Sequence, residues 1–508
     1  MGLGRNLPKE VDVRTCLAQE PVPTVDWWNV ARVTIDMLPD LALLEIFHFY
    51  VDERITYEER IKNAELINYE EQRQEQINYK EQIDAWHALV HVCRKWRIVV
   101  FGSPRRLGLR LRCSASTPVR EMLDVWPLLP IVILSMGEGG ETDNIIAALE
   151  HNDRICQLEL SLVPSSEMEK VFTAMQQPFL ALACLDLEST YRTELIIPAS
   201  FLGGSAPRLR ALRLDFIPFP GLPKLLLCAT HLVRLDLRNI PYSGYISPDA
   251  MVTSLSVLTR LENLYIGFEY PSRHDQKNRR PPTRTLLPVL TNLWFKAAGE
   301  YLEDFVSRIN VPLLDELTIF FFDPLIFNTP QLAEFISRTP KFKGHDEARV
   351  VFSDWRVSVI LPQTSDGRFE LTIVGKPSGW QVSSLTQICS LSIPQTLLTV
   401  EYLYIQGIFP QLYWEDDIES SHWLELFYPY TAVKHLYLSQ ELAPHIAPVL
   451  QELVGERVTE VLPALQALSL EQPLPSGPLQ EAIGQFIAAR QLAGHPIAVS
   501  FWKDVEGV

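Results

Sequence analysis

The sequence predicts an α/β chain: a short helical unit followed by a long solenoid of strand-plus-helix repeats. Three observations predict it. Two apolar stripes at helical spacing lie before Pro104, a spaced Leu pattern recurs from Leu128 almost to the C-terminus, and helical spacing fills several of the intervals between its copies.

Composition bounds the reading. With 508 residues and 47% hydrophobic content the chain has ample material for a large core and is too apolar for disorder. A formal charge of −17, from 62 acidic against 45 basic residues, opposes a phosphate backbone, so neither nucleic acid nor an anionic membrane is an expected partner of the whole surface. The seven cysteines form no Cys-x-x-Cys pair and mostly sit in apolar runs. They point to a reducing, intracellular compartment, cytoplasmic or nuclear. Met1 through Glu10 is polar, without the apolar core of a signal peptide, and Asn6 stands where a myristoylation signal wants Ser or Thr. The most apolar run, Val125 to Leu134, is interrupted by Pro127 and Pro130 and is about half the ~20 residues that span a bilayer.

Residues 1–33 show no sustained period and read as a leader. From there to residue 104 the text is helical. Asp36 and Pro39 suit the start of a helix whose stripe is Leu43, Ile46, Phe47 and Tyr50. A second helix opens near Asp84 with Trp86, Leu89, Val90, Cys93, Trp96 and Val100 in line, and ends before Gly102. Residues 52–84 between them are rich in Glu, Gln, Lys and Arg and repeat themselves at Ile67–Gln72 and Ile77–Gln82. Such a segment buries too little apolar surface for a core of its own and reads as a solvated insertion. Two short helices cannot bury all their apolar surface alone, so a partner is a natural home for the surplus.

Residues 105–508 carry the repeat. Copies centre on Ile131, Leu158, Leu185, Leu212, Leu235, Leu264, Leu293 and Leu317, with steps between 23 and 29 residues, and later on Leu403, Leu436 and Leu468. In each, alternation turns the Leu positions inward and leaves Glu159, Asp186, Arg213, Asp236 and Tyr265 facing outward. One such strand is unstable alone; stacking its neighbours buries the shared Leu layer and gives a curved solenoid. Between Ile319 and Val400 the pattern blurs, and Ala348–Phe352 with Phe369–Ile373 stand as strands of two degenerate repeats. Helical spacing at Met168–Gln177, Ser254–Thr259, Leu302–Ile309 and Gln331–Ser337 supplies the second half of the unit.

Two resemblances follow from these residues. Leu38-Pro39, then Leu43-Leu44 with Ile46-Phe47, then Val92-Cys93-Arg94-Lys95-Trp96-Arg97 resembles the F-box motif over about a tenth of the chain. The spaced Leu pattern resembles leucine-rich repeats and implies an α/β horseshoe, although the family's Asn after the strand is largely missing and Asn239 stands one place early. Together they resemble F-box proteins with leucine-rich repeats, with a likeness to the irregular fungal ones. That resemblance implies a substrate-recognition subunit of an SCF-type cullin ubiquitin ligase, whose F-box docks a Skp-type adaptor while the repeats hold a target protein for ubiquitination. Carried over by position, Leu38, Pro39, Leu43, Ile46, Phe47, Val90, Cys93 and Trp96 would be the docking or supporting residues. Without that motif set, the same chain reads as a repeat scaffold for protein binding, its N-terminal helices capping the solenoid.

No constellation for catalysis is legible, and no cofactor or metal is expected. Gly137 to Glu141 is Gly-rich but lacks the Lys-Ser/Thr of a P-loop, no His-Glu-x-x-His or Gly-x-Ser-x-Gly pattern occurs, and Glu415, Asp416, Asp417 and Glu419 read as a solvated acidic loop. Arg273 to Arg284 reads as an exposed basic loop. Trp380, Tyr402, Tyr404, Trp414, Trp423, Tyr428 and Tyr430 concentrate aromatic side chains toward the C-terminal repeats, where they serve packing or a target surface.

Overall fold

The computed structural model describes residues 38–52, 91–102, 109–126, 128–135, 140–189, 195–269, 283–322, 329–362, 367–375, 378–391, 393–408, 418–471 and 477–502. The leader, Val90, almost all of the charged insertion, Gly137, Trp414, the Glu415–Asp417 run and most of the basic stretch lie outside them. The chain divides into two compact units, Met1–Leu107 and Gly108–Val508.

In the first unit, Pro39 stands just before helix Asp40–Asp52, as its fixed φ and missing N–H suit. The second predicted helix is broken: His91 and Val92 are helical, Cys93 is not, and a new helix runs from Arg94 to Gly102. The reason is local capping. The N–H of Trp96 donates to the Cys93 thiol at 3.4 Å, the position a capping side chain takes at a helix start.

Among the described residues of the second unit, sixteen strands form one sheet. In chain order its strands, with the small pair β8 and β10, are β1 (Leu109–Arg112), β2 (Ile131–Ser135), β3 (Ile155–Val163), β4 (Cys184–Ser189), β5 (Ala211–Asp215), β6 (Arg234–Ile240), β7 (Asn263–Phe268), β8 (Thr285–Leu286), β9 (Asn292–Ala297), β10 (Ile309–Asn310), β11 (Glu316–Phe322), β12 (Glu347–Phe352), β13 (Arg356–Leu361), β14 (Arg368–Val374), β15 (Tyr402–Gly407), β16 (His435–Leu438), β17 (Ala467–Leu470) and β18 (Ala498–Phe501). From β3 to β11 the strands pair in parallel, with Leu158, Leu185, Leu212, Leu235, Leu264, Leu293 and Leu317 in one column, all buried. A second buried column runs through Leu187, Leu214, Leu237, Ile266, Phe295 and Ile319. These are the columns the spaced Leu pattern predicts.

Helices follow the strands and pack on one another: Thr142–Leu149 on Ser165–Ala174, and Gly299–Arg308 on both Pro248–Leu255 and Pro330–Arg338. Glu303 ties two of them, its buried carboxylate accepting the N–H groups of Gln331 and Leu332, both at 2.8 Å, and so capping the next helix.

The stretch between Ile319 and Val400 corrects the prediction of two degenerate repeats: the two predicted strands pair in parallel with the ladder, but a further strand lies between them. β12, β13 and β14 form a meander, inserted so that the order runs β11, β14, β13, β12, β15, and β13 is antiparallel to both its neighbours. The edge strands β1 and β18, outside the Leu pattern as read from the sequence, extend the ladder by one strand at each end.

Candidate binding surfaces

The helix pair sorts the motif residues by depth. Leu43 and Phe47 are wholly buried, and the Phe47 ring packs on Trp96 with centroids 4.6 Å apart. Lys95 Nζ donates to the Leu38 carbonyl at 3.1 Å, tying the Leu38-Pro39 start to the second helix. Leu38, Cys93 and Trp96 are half-buried, while Pro39 is exposed and Ile46 is 43% exposed. Leu43 and Phe47 therefore support the pair and Ile46 faces outward. Helix Asp40–Asp52 is apolar on both faces, since Leu41 joins Ile46 in solvent while Leu44 joins the buried set. Val92 and Ile98, 58% and 61% exposed, add apolar surface on the other side of the motif. Reading by motif alone passes over Leu41 and Ile98; the signal for both is the apolar character of their helices beyond the stripe.

The sheet face opposite the Leu columns is built from the residues between them. Across β3 to β6 it is ionic. Arg213 lies 3.6 Å from Asp186, 3.8 Å from Glu188 and 3.2 Å from Asp215. Asp215 also accepts from Asn239 at 2.8 Å. Glu159 stands in register with Asp186 and accepts from Gln157. On β6, Asp236 is held between Arg234 at 3.1 Å and Arg238 at 2.9 Å. Burial, together with the like charges of Glu159, Glu188 and Asp236, raises the Asp186 carboxyl to about 7 against the pull of Arg213. Burial also raises Glu188. The guanidinium of Arg213, although partly desolvated, is pushed up by Asp186, Asp236, Glu188 and Asp215.

Beside this ionic field lies an aromatic shelf. Tyr265 on β7, Trp294 on β9 and Phe320 on β11 follow one another, with ring centroids 6.4 Å and 5.3 Å apart. Arg238 reaches over both Tyr265, at 5.3 Å, and Trp294, at 5.8 Å. Gly267 gives the ring room, because a Cβ there would stand 3.0 Å from the Trp294 indole and press on it. A second aromatic group sits farther along the same sheet: Tyr404 stacks on Tyr437 at 4.2 Å, Trp502 packs edge-on to both, and Tyr402 stacks on His435 at 4.8 Å. Of the predicted C-terminal aromatic residues, Tyr402 and Tyr404 thus lie on the strand face, Trp423 and Tyr430 are buried core, and Tyr428 is an exposed helix-end residue whose hydroxyl donates to Glu460 at 2.8 Å. Among the described residues no group of His, Cys, Asp or Glu side chains is placed to hold a metal ion, and no helix is long and apolar enough to cross a membrane.

These features define an irregular solenoid of stacked parallel strands and helices with buried leucine columns. No protein-family model matches the chain, and no curated protein matches it in sequence. Among solved structures it is similar to a TLR13–ssRNA13 complex (12% identity, 77% of this chain, 48% of that one, TM-score 0.30). It is also similar to the leucine-rich repeat-containing protein LegL7 from Legionella pneumophila (12% identity, 76% of this chain, 98% of that one, TM-score 0.28). The chain spans about half the length of the TLR13 chain. The repeat architecture is defined by the strand ladder itself rather than by these likenesses.

Proposed function

We propose that the chain is a target-recognition subunit of a cullin-type ubiquitin ligase, non-catalytic itself, whose helix pair docks a Skp-type adaptor and whose repeat sheet holds the target. The observation that carries the adaptor half is the state of helix Asp40–Asp52. Its motif residues Leu43 and Phe47 are consumed in packing, yet Leu41 and Ile46 remain as apolar surface beside exposed Val92 and Ile98. An apolar helix face laid into a groove is the matching mode of recognition. Of the eight motif residues, Pro39 and Ile46 are the docking residues, Leu38, Leu43, Phe47, Cys93 and Trp96 support them, and Val90 keeps its place by motif alone.

Co-expression with a Skp-type adaptor tests the reading. Wild-type chain co-purifies with the adaptor and Ile46→Asp/Ile98→Asp does not, while circular dichroism shows both folded. Failure of folded wild type to retain the adaptor removes the ligase assignment and leaves a protein-binding repeat scaffold.

A further inference from the structure

The open sheet face carries an imbalance that the fold does not require. Among the described residues of β3 to β5, four carboxylates, Glu159, Asp186, Glu188 and Asp215, surround one guanidinium, that of Arg213, with Arg238 of β6 also acting on Glu188, whereas Asp236 on β6 lies between Arg234 and Arg238. Burial first, and then the like charges of Glu159, Glu188 and Asp236, hold Asp186 far above the usual carboxylate range against the pull of Arg213. Added positive charge at this place relieves repulsion among groups that the repeat ladder already holds fixed, so little reorganisation is needed to receive it. Beyond β6 the charge gives way to the shelf of Tyr265, Trp294 and Phe320, set by Gly267 and Arg238. Rigid, half-buried Trp and Tyr with a neighbouring Arg are the side chains that dominate protein interfaces.

We propose that this face binds an extended segment of a partner protein, which sets a Lys or Arg side chain against Asp186 and Glu188 and an aromatic or large aliphatic side chain on Trp294. Charge complementarity selects this occupant, since a nucleic acid would bring phosphates to the carboxylates. The inference rests on the reading that the repeats hold the target, and it names the target's chemistry. Asp186 on β4 and Trp294 on β9 are four strand steps apart. At ~4.8 Å per step and ~3.3 Å per extended residue, the basic and apolar anchors of the partner are about six residues apart.

The test is selection of a displayed library of random linear peptides on the full-length chain, followed by affinity measurement on Asp186→Asn/Glu188→Gln and on Trp294→Ala, each checked for folding by circular dichroism. The expected peptides carry a Lys or Arg and an aromatic or large aliphatic residue at about that spacing, and each variant weakens them by about tenfold or more, as loss of an interface anchor does. No selected peptide, peptides without a basic residue, or peptides indifferent to the carboxylate pair overturn the proposal. The manner of failure separates it from the parent reading. Peptides lost on Trp294→Ala but indifferent to the carboxylates keep the face as a binding surface, whereas peptides indifferent to both variants take that role from it, and adaptor docking is decided separately on the helix pair.

Discussion

At the scale of single residues, Asp186 and the buried thiols set measurable expectations. The Asp186 carboxyl is raised from 3.8 to about 7 by burial and like charge. Between those values the folded chain holds a proton that the unfolded chain releases, so its contribution to stability is full below the ordinary carboxyl value and lost as pH rises through about 7. Asp186→Asn keeps the shape without the charge. Thermal melts should show it more stabilising, relative to wild type, at pH 8 than at pH 5; a pH-independent difference would contradict the burial of that charge. Cys113 and Cys389 are buried and pushed up to about 12, whereas Cys228 is exposed. A thiol reagent at pH 8 should label Cys228 within minutes and spare the other two until the chain unfolds. Much of the ionic field was legible in the sequence: alternation alone turns Glu159, Asp186, Arg213, Asp236 and Tyr265 outward. The sharing of Arg213 among three carboxylates was not, because it depends on which strands become neighbours. Trp294 lies between two recognised apolar positions, but its indole packs over Gly267 of the neighbouring strand β7, a contact that no local pattern announces.

At the scale of elements, the C-terminal ends of the strands carry strain, with register irregularities in β3 and β6, that the Leu pattern conceals. Leu162, Phe216 and Asn239 each stand two residues past the second ladder leucine of their repeats, and each has positive φ, 59°, 58° and 46°. Asn tolerates that conformation and bulky residues do not. The Asn that stands early in the sequence is thus well placed in the structure, with its side chain donating to Asp215. Leu162 is 43% exposed, so Leu162→Asn should raise stability in denaturant melts by about 1 kcal/mol, the cost of a left-handed non-glycine residue. Glu303→Ala should lower it by about 1–3 kcal/mol, since two helix N–H groups lose their buried acceptor. The meander at β12 to β14 was only partly legible. Ala348–Phe352 and Phe369–Ile373 read correctly as strands, and Val357, Val359 and Leu361 of β13 are buried in the same alternation. Alternation has the same period in either strand direction, so it does not reveal that β13 runs antiparallel. The break at Cys93 was hidden for a similar reason: apolar spacing continues through it, and only the thiol cap marks the new helix start.

At the scale of the whole molecule, the chain offers two surfaces of different character, one in each compact unit. The helix pair presents aliphatic side chains, Leu41, Ile46 and Ile98, and the sheet presents carboxylates and aromatic rings. The repeat array was readable from the Leu columns because parallel stacking requires like side chains at like positions, repeat after repeat. The motif set was readable as a resemblance, but which of its residues face outward depends on how two helices pack, and Phe47 against Trp96 decides it. On the proposed function, adaptor docking belongs to the helix pair and is independent of the sheet. Isothermal titration of a purified Skp-type adaptor into three proteins tests it most directly: wild type, Ile46→Asp/Ile98→Asp, and Asp186→Asn/Trp294→Ala. One-to-one binding to wild type, the same affinity for the sheet variant, and no measurable heat from the folded helix variant are expected. Absence of binding to wild type, or equal loss in both variants, would contradict it.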